Sequence, residues 1–310
     1  MYANFQPFRL AEEVFLTFLK RAAIPTLCLG VLVARPQQSD TPALETLTQN
    51  LHREFTLRNA EGILKLWSDT SPQRKQQAAA LEKLLGTPSQ IAETAGEDPD
   101  ITGYRARVPI QREVILPANF QGSPQKQRLV LECIKENGGW KIWREIPAEQ
   151  DLGEHLAAGG KEEQEKLLAE NAELVNAALA NAVIDLGRGA RNRGQFPQAL
   201  ALYDLASRVA GQANAGQACA SALNNGGLVR YDQGDFTAAL ASYRASVAVS
   251  QEAHDDSGAA RALNNMGAIY MDVGDYGAAW EIFNQCRTVG ERLHDNRLIA
   301  NADGKFGIGE

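Results

Sequence analysis

The chain has 310 residues, 44% of them hydrophobic and 22% charged, with a formal net charge of −7. That length suits two modest domains with a core each, and the composition excludes a chain that is mostly disordered or mostly embedded in a membrane. The acidic balance, with no stripe of Lys and Arg interleaved with aromatics, argues against nucleic acid as a partner.

At the start of the chain, Arg9, Lys20 and Arg21 precede an uncharged run from Ala22 to Ala34, and polar RPQQSDTP comes next. This pattern predicts a signal peptide over residues 1–34, with Ala34 last before cleavage, and hence a secreted or periplasmic protein. The run is shorter than the roughly 20 residues that cross a bilayer, and Pro25 interrupts it, so no stable membrane span is expected. Leu27 directly before Cys28 fits lipoprotein processing poorly. Beyond the leader, Cys133, Cys219 and Cys286 are odd in number and lack a Cys-x-x-Cys spacing. They imply no disulfide framework and no metal site, and these thiols read as small core residues.

A short linker, 35–43, leads to a predicted α+β domain over 44–148. Leu44, Leu47, Leu51, Phe55, Ile63 and Trp67 recur at helical spacing. SPQRKQQAAALEKLLG then predicts a second helix, with Pro72 at its first position. From Ile101 the pattern changes to alternation, with Tyr104, Ala106, Val108 and Ile110 on one face of a strand. QKQRLVLECIKENGGWKIWREI predicts a hairpin turning at Asn137, Gly138 and Gly139. Helices followed by an antiparallel sheet that ends in Gly-Trp-Lys-Ile resemble the nuclear transport factor two-like fold, a curved sheet wrapped round a helix into a cone. The resemblance implies a ligand pocket in some members and proton transfer by a His with an acidic group in others. Here only His52, on a helix, and His155, in a predicted linker, lie in this half, and neither has an orienting partner in sequence. No catalytic residue and no cofactor are assigned. Gly-x-Gly-x-x-Gly, Walker, Gly-x-Ser-x-Gly and His-Glu-x-x-His motifs do not occur.

Residues 149–177 predict a charged helical connector after Gly159 and Gly160, with Leu167, Leu168, Leu174 and Val175 packing on the first repeat. From 178 to 310 the chain repeats. GQFPQALALY from Gly194, GDFTAALASY from Gly234 and GDYGAAWEIF from Gly274 align without gaps at a forty-residue step, as do Gly187, Gly227, Gly267 and Gly307. Each unit predicts two helices, the first ending at the Gly of GQF or GDF and the second capped by Asp235 or Asp275. Ala199, Ala239 and Ala279 permit close approach, and Tyr203, Tyr243 and Phe283 fill the space between hairpins. These units resemble the tetratricopeptide repeat family, in the long-period subclass of kinesin light chains and the Leu-Gly-Asn-type polarity adaptors. An all-α solenoid of three hairpins and the start of a fourth is the implied architecture.

LNNGG at Leu223 matches LNNMG at Leu263. Helical spacing sends Leu223 and Gly227 inward. Asn224, Asn225 and Leu228 then face the concave side, as do Asn264, Asn265 and Ala268 one repeat later. An amide supplies both donor and acceptor, so paired asparagines suit a peptide backbone, or else a bond to the neighbouring helix or to water. The resemblance implies peptide contact by Asn225 and Asn265. Arg261, one turn before Asn265, adds a carboxylate contact. Ile184 with Asp185, and Gly304 with Lys305, replace the asparagine pair in the outer units.

The leading expectation is therefore a protein-interaction scaffold with a protein or peptide ligand in the groove. Two alternatives stand beside it. Gly307 lies in a fourth unit that ends at Glu310, so the chain reads as part of a longer protein, and its layout resembles the repeat region that precedes caspase-like CHAT proteases. The front cone could instead bind or turn over a small molecule.

Overall fold

A computed structural model describes residues 40–86, 89–96, 98–115, 125–296 and 298–300. The expected signal peptide, and the fourth-unit positions Gly304, Lys305 and Gly307, lie outside the described residues.

Three helices open the front domain: α1 (Thr41–Thr56), α2 (Ala60–Lys65) and α3 (Arg74–Gly86). The helical spacing over 44–69 is thus interrupted. Arg58 takes a left-handed conformation at φ 53°, and the Asn59 side chain accepts from Gly62 N at 3.0 Å to start α2 afresh. Pro72 sits in the turn before α3 and not at its first position, because the Ser71 hydroxyl donates to Trp143 O at 2.6 Å and holds that segment on the sheet.

Strands β1 (Gln90–Ala95), β2 (Asp100–Thr102), β3 (Arg105–Ile115), β4 (Gln125–Glu136) and β5 (Gly139–Pro147) form one antiparallel sheet in the order β1-β3-β4-β5, with β2 also on β3. Its inner face carries Ala106, Val108, Ile110, Leu129, Leu131, Cys133, Trp140 and Ile142 against Leu44, Leu47, Leu51, Phe55, Ile63 and Trp67. The β4–β5 hairpin turns on Asn137 and Gly138, both at positive φ, as a two-residue turn requires. Tyr104 departs from expectation: it belongs to the β2–β3 turn and is 65% exposed.

The predicted connector is two helices, α4 (Ala148–Ala158) and α5 (Lys161–Glu170), then a 3-10 turn at Ala172–Leu174. His155 lies within α4, not in a linker. Leu152, Leu156, Leu168 and Leu174 join the core of the first repeat, and Leu167 and Val175 pack at its margin.

Beyond the connector stand three hairpins: α6 (Ala177–Asn192) with α7 (Phe196–Gln212), α8 (Gly216–Asp232) with α9 (Phe236–Glu252), and α10 (Asp256–Asp272) with α11 (Tyr276–Leu293). Gly194, Gly234 and Gly274 stop each first helix at φ 72°, 79° and 77°. Asp235 and Asp275 cap α9 and α11 through Ala238 N and Ala278 N, both at 3.0 Å. The aromatic rings also pack within their own hairpins. A β-carbon on Gly187, Gly227 or Gly267 would lie 2.5–2.6 Å from the ring of Tyr203, Tyr243 or Phe283 of its own hairpin. Cys286 and Cys133 are buried, and burial pushes each thiol up to about 12, as inert packing groups require.

Candidate functional site

The first helices of the repeats, α6, α8 and α10, are joined side by side through bonds that link a residue to the one 41 positions on. Arg191 Nε donates to Asp232 Oδ2 at 2.6 Å, Tyr231 Oη to Asp272 Oδ2 at 2.5 Å, and Asn265 Nδ2 to Asn224 Oδ1 at 2.9 Å. The offset comes from the repeat: equivalent positions are forty apart, and a neighbouring helix meets each residue one step further along. Behind them Ser246 Oγ donates to Ala220 O at 2.8 Å, and its repeat counterpart Cys286 approaches Ala260 O at 3.5 Å.

On this face a polar cleft of about 220 Å³ opens. Arg188 of α6, Ser221, Asn224 and Asn225 of α8, and Arg261 of α10 line it. Asn225 is turned back on its own helix, donating to Ser221 O at 2.8 Å. Asn224 spends its oxygen on Asn265, which leaves its amide hydrogens for a ligand. The two guanidinium groups are weakly held. Arg188 pairs at 2.7 Å with Asp185 on the same helix, and Arg261 lies 3.9 Å from Asp255, whose other oxygen caps α10 at Gly258 N. Their side chains are 53% and 62% exposed. The cleft is therefore rich in hydrogen-bond donors.

Of the residues predicted from sequence, Asn224, Asn225 and Arg261 line this cleft, and Asn265 reaches it through Asn224. Asn264 and Ala268 are half-buried, and Leu228 packs against the core of the last two hairpins. Arg188 and Ser221 were missed, although the repeat pointed to both. Arg188 is forty residues before Leu228, and Ser221 forty before Arg261.

The front domain's inner face holds a second polar cluster. Arg112 Nε donates to Glu93 at 2.6 Å, and its two terminal nitrogens donate to Glu145 at 2.7 Å each, with the guanidinium 4.8 Å over the Phe55 ring. Burial works against the charge on Arg112, but its bonds to Glu145 and Glu93 outweigh this and hold it above its ordinary value. Burial pushes Glu93 up against the pull of Arg112. Glu145 faces inward because β5 carries an extra residue at Trp143: Glu132 pairs with Arg144, yet Cys133 pairs with Ile142. Simple alternation from Trp140 and Ile142 would have sent Arg144 inside. All three groups are satisfied by one another. His52 Nδ1 accepts from Glu93 N at 3.3 Å.

Residues 218–292 match the family model described as tetratricopeptide repeat. The helical array is that of a repeat protein. No curated protein matches the chain. Among solved structures the chain is similar to BtubC (BKLC) from P. vanneervenii, at 18% identity and a TM-score of 0.42, over 51% of this chain. It spans 65% of the length of BtubC. It is also similar to an NTF-2 like protein from Shewanella oneidensis MR-1, at 12% identity and a TM-score of 0.30, over 34% of this chain and 95% of that one. A domain with a cystatin-like fold from Nostoc punctiforme PCC 73102 is similar at 17% identity and a TM-score of 0.31, over 44% of this chain and 97% of that one. Among the described residues no group of His, Cys, Asp and Glu is placed to hold a metal ion, and no helix is long and apolar enough to cross a membrane.

Proposed function

We propose that the chain is a protein-interaction scaffold that holds an acidic peptide across α6, α8 and α10, with a ligand carboxylate seated between Arg188, Asn224 and Arg261. The observation that carries this reading is the bond from Asn265 to Asn224, which fixes the Asn224 amide as a donor beside two weakly held arginines. Asn225, bonded to Ser221, keeps an oxygen to accept from a peptide N–H. The front domain serves in this reading as a rigid partner of the array and not as a catalyst. Its one inward carboxylate pair is closed by Arg112, and the His52 acceptor is occupied by backbone.

The immobilised full chain, screened against a displayed library of random peptides, should enrich sequences rich in Asp and Glu. Arg261→Glu should abolish their capture, and Asn224→Ala should weaken it by roughly tenfold, the loss of one charge-assisted hydrogen bond. Enrichment of uncharged peptides, or capture that both variants leave intact, would refute the assignment.

A further inference from the structure

The front sheet is tied down on its outer face and along one edge, and open along the other. The outer face is held to α4 by a charge latch. Glu132 of β4 accepts from Arg144 Nε at 2.8 Å and from Arg107 Nη2 at 3.2 Å; Arg144 reaches on to Glu154 at 2.8 Å and Arg107 to Asp151 at 3.3 Å. The edge of β5 is closed by the segment that leads into α3. Ser68 N donates to Ile142 O at 2.8 Å, Ile142 N to Leu66 O at 2.9 Å, and Glu145 N to the Gln73 side chain at 2.9 Å.

Strand β1 forms the opposite edge, and among the described residues it pairs with β3 alone. Gly96 N donates to Pro109 O at 2.9 Å, so the antiparallel alternation turns the main-chain groups of Ala92 and Thr94 toward β3 and those of Ile91, Glu93 and Ala95 away from it. Among the described residues one bond reaches these outward groups, from Glu93 N to His52 Nδ1 of α1, at 3.3 Å. That long bond from an exposed imidazole puts an acceptor where the carbonyl of a further strand would stand. A row of unpaired main-chain donors and acceptors is a template for another extended chain.

Room for one exists. A groove of about 380 Å³ runs between β1 and α1, with Thr94 and Ala95 on one wall and Glu45, Thr48, Gln49 and His52, a single stripe of the helix, on the other. All of these except the half-buried Thr48 are exposed. No cation pairs with the Glu45 carboxylate among the described residues.

We propose that this edge takes an extended segment of a partner polypeptide, which adds to the sheet beside β1 and sets a Lys or Arg against Glu45. The outward groups of Glu93 and Ala95 supply the pairing, and the free carboxylate selects the side chain. A carbonyl of the incoming strand replaces His52 at Glu93 N. The site is separate from the repeat groove, and its test is independent of that reading.

A fluorescein-labelled peptide, Thr-Val-Thr-Lys-Thr-Val-Thr, titrated with the full chain should show saturable fluorescence anisotropy with one peptide bound. Methylating one alternate set of its amide nitrogens should weaken binding roughly tenfold, and methylating the other set should leave it unchanged, because a strand pairs through one edge. Replacing its Lys by Asp should weaken binding roughly fivefold, and Glu45→Lys should erase that preference. Ala95→Pro removes an outward N–H and leaves the ladder to β3 intact, so it should weaken binding roughly tenfold with the circular dichroism unchanged. Arg261→Glu, in the repeat groove, should change nothing. Absence of saturable binding, equal effects of the two methylations, or binding that Ala95→Pro leaves intact would overturn the proposal. So would a free chain that sediments as a dimer until Ala95→Pro dissolves it, since a second copy would then hold the edge.

Discussion

Gly226 and Gly227 are adjacent in α8, both buried, and an alanine at each should have opposite effects. A β-carbon at Gly227 would lie 2.5 and 2.7 Å from two atoms of the Tyr243 ring, which is 1% exposed and has nowhere to go. At Gly226 the nearest atom is a terminal nitrogen of Arg230 at 3.1 Å, which swings away, and the next is Tyr203 Cβ at 4.0 Å. Alanine in mid-helix gains about 1 kcal/mol over glycine. Overpacking a close-packed site costs about 1–3 kcal/mol, and a ring that must retreat by nearly 1 Å from 2.5 Å contact belongs at the upper end. Gly227→Ala should therefore destabilise the array by about 1–2 kcal/mol, roughly a 3–6 °C fall in Tm, while Gly226→Ala should be neutral or raise stability by up to about 1 kcal/mol. Thermal and urea melts followed by helical circular dichroism measure both. Equal effects, or a Gly227→Ala variant as stable as the parent, would refute the claim that this glycine exists to admit the ring.

Arg112→Met strands Glu93 and Glu145 on the inner face and should cost about 3–5 kcal/mol in urea unfolding, with Arg112→Lys recovering only part of it, since one ammonium cannot serve both carboxylates. Asp235→Ala removes the α9 cap at Ala238 N and should lower stability by about 1 kcal/mol, against almost nothing for Gln195→Ala, which caps nothing. The outer charge latch should be acid-sensitive. Burial pushes Glu132 up, but the bonds and charges of Arg144 and Arg107 outweigh it and hold the carboxyl below its ordinary 4.5. A depressed carboxyl contributes stability that is fully present above that value and is lost as the pH falls through the folded one. Burial raises Asp151, which opposes this trend. Glu132→Gln should thus lower stability at pH 7 and flatten the fall on acidification below about pH 4.5, read by melts across pH 3–7; an unchanged acid limb would exclude the latch as its source.

The repeat array was legible because its information is periodic. One forty-residue step places Gly187 with Gly227 and Gly267, and three occurrences of a rule outweigh any single propensity. The same step held clues that went unread: Asn214, His254 and His294, spaced by forty, all take left-handed conformations after the second helices, at φ 51°, 54° and 52°. Asparagine is a known substitute for glycine there, but histidine is a weak signal for it. The front domain was legible only in outline. Arg58 breaks the first helix without a Gly or Pro to announce it, and the inward turn of Glu145 depends on a bulge that no composition encodes. Within the groove, spacing alone pointed to the α8 and α10 residues. It left open whether the asparagines bond a ligand or the neighbouring helix, because the bond from Asn265 to Asn224 depends on the angle at which neighbouring repeats stack.

Helix α4 packs on both halves. One side presents Asp151 and Glu154 to the sheet's arginines, and another lays Gly153 against Leu179, Ala182 and Val183 of α6, each within 3.8 Å of where a β-carbon would stand. Repeat arrays expose an apolar face at each end and need a cap there. Leu152, Leu156, Leu168 and Leu174 provide that cap, so the first hairpin is completed by residues that the charge latch ties to the front domain. A helix anchored on both sides should carry strain from one half to the other. Gly153→Ala is the sensitive probe of this coupling. The added methyl meets its neighbours at 3.5–3.8 Å, ordinary contact distance, so it should gain helix propensity of about 1 kcal/mol and stiffen the joint. Native-state hydrogen exchange should then slow in β5 and α6 together. Slowing confined to α6 would mean that α4 caps the array without transmitting anything to the sheet.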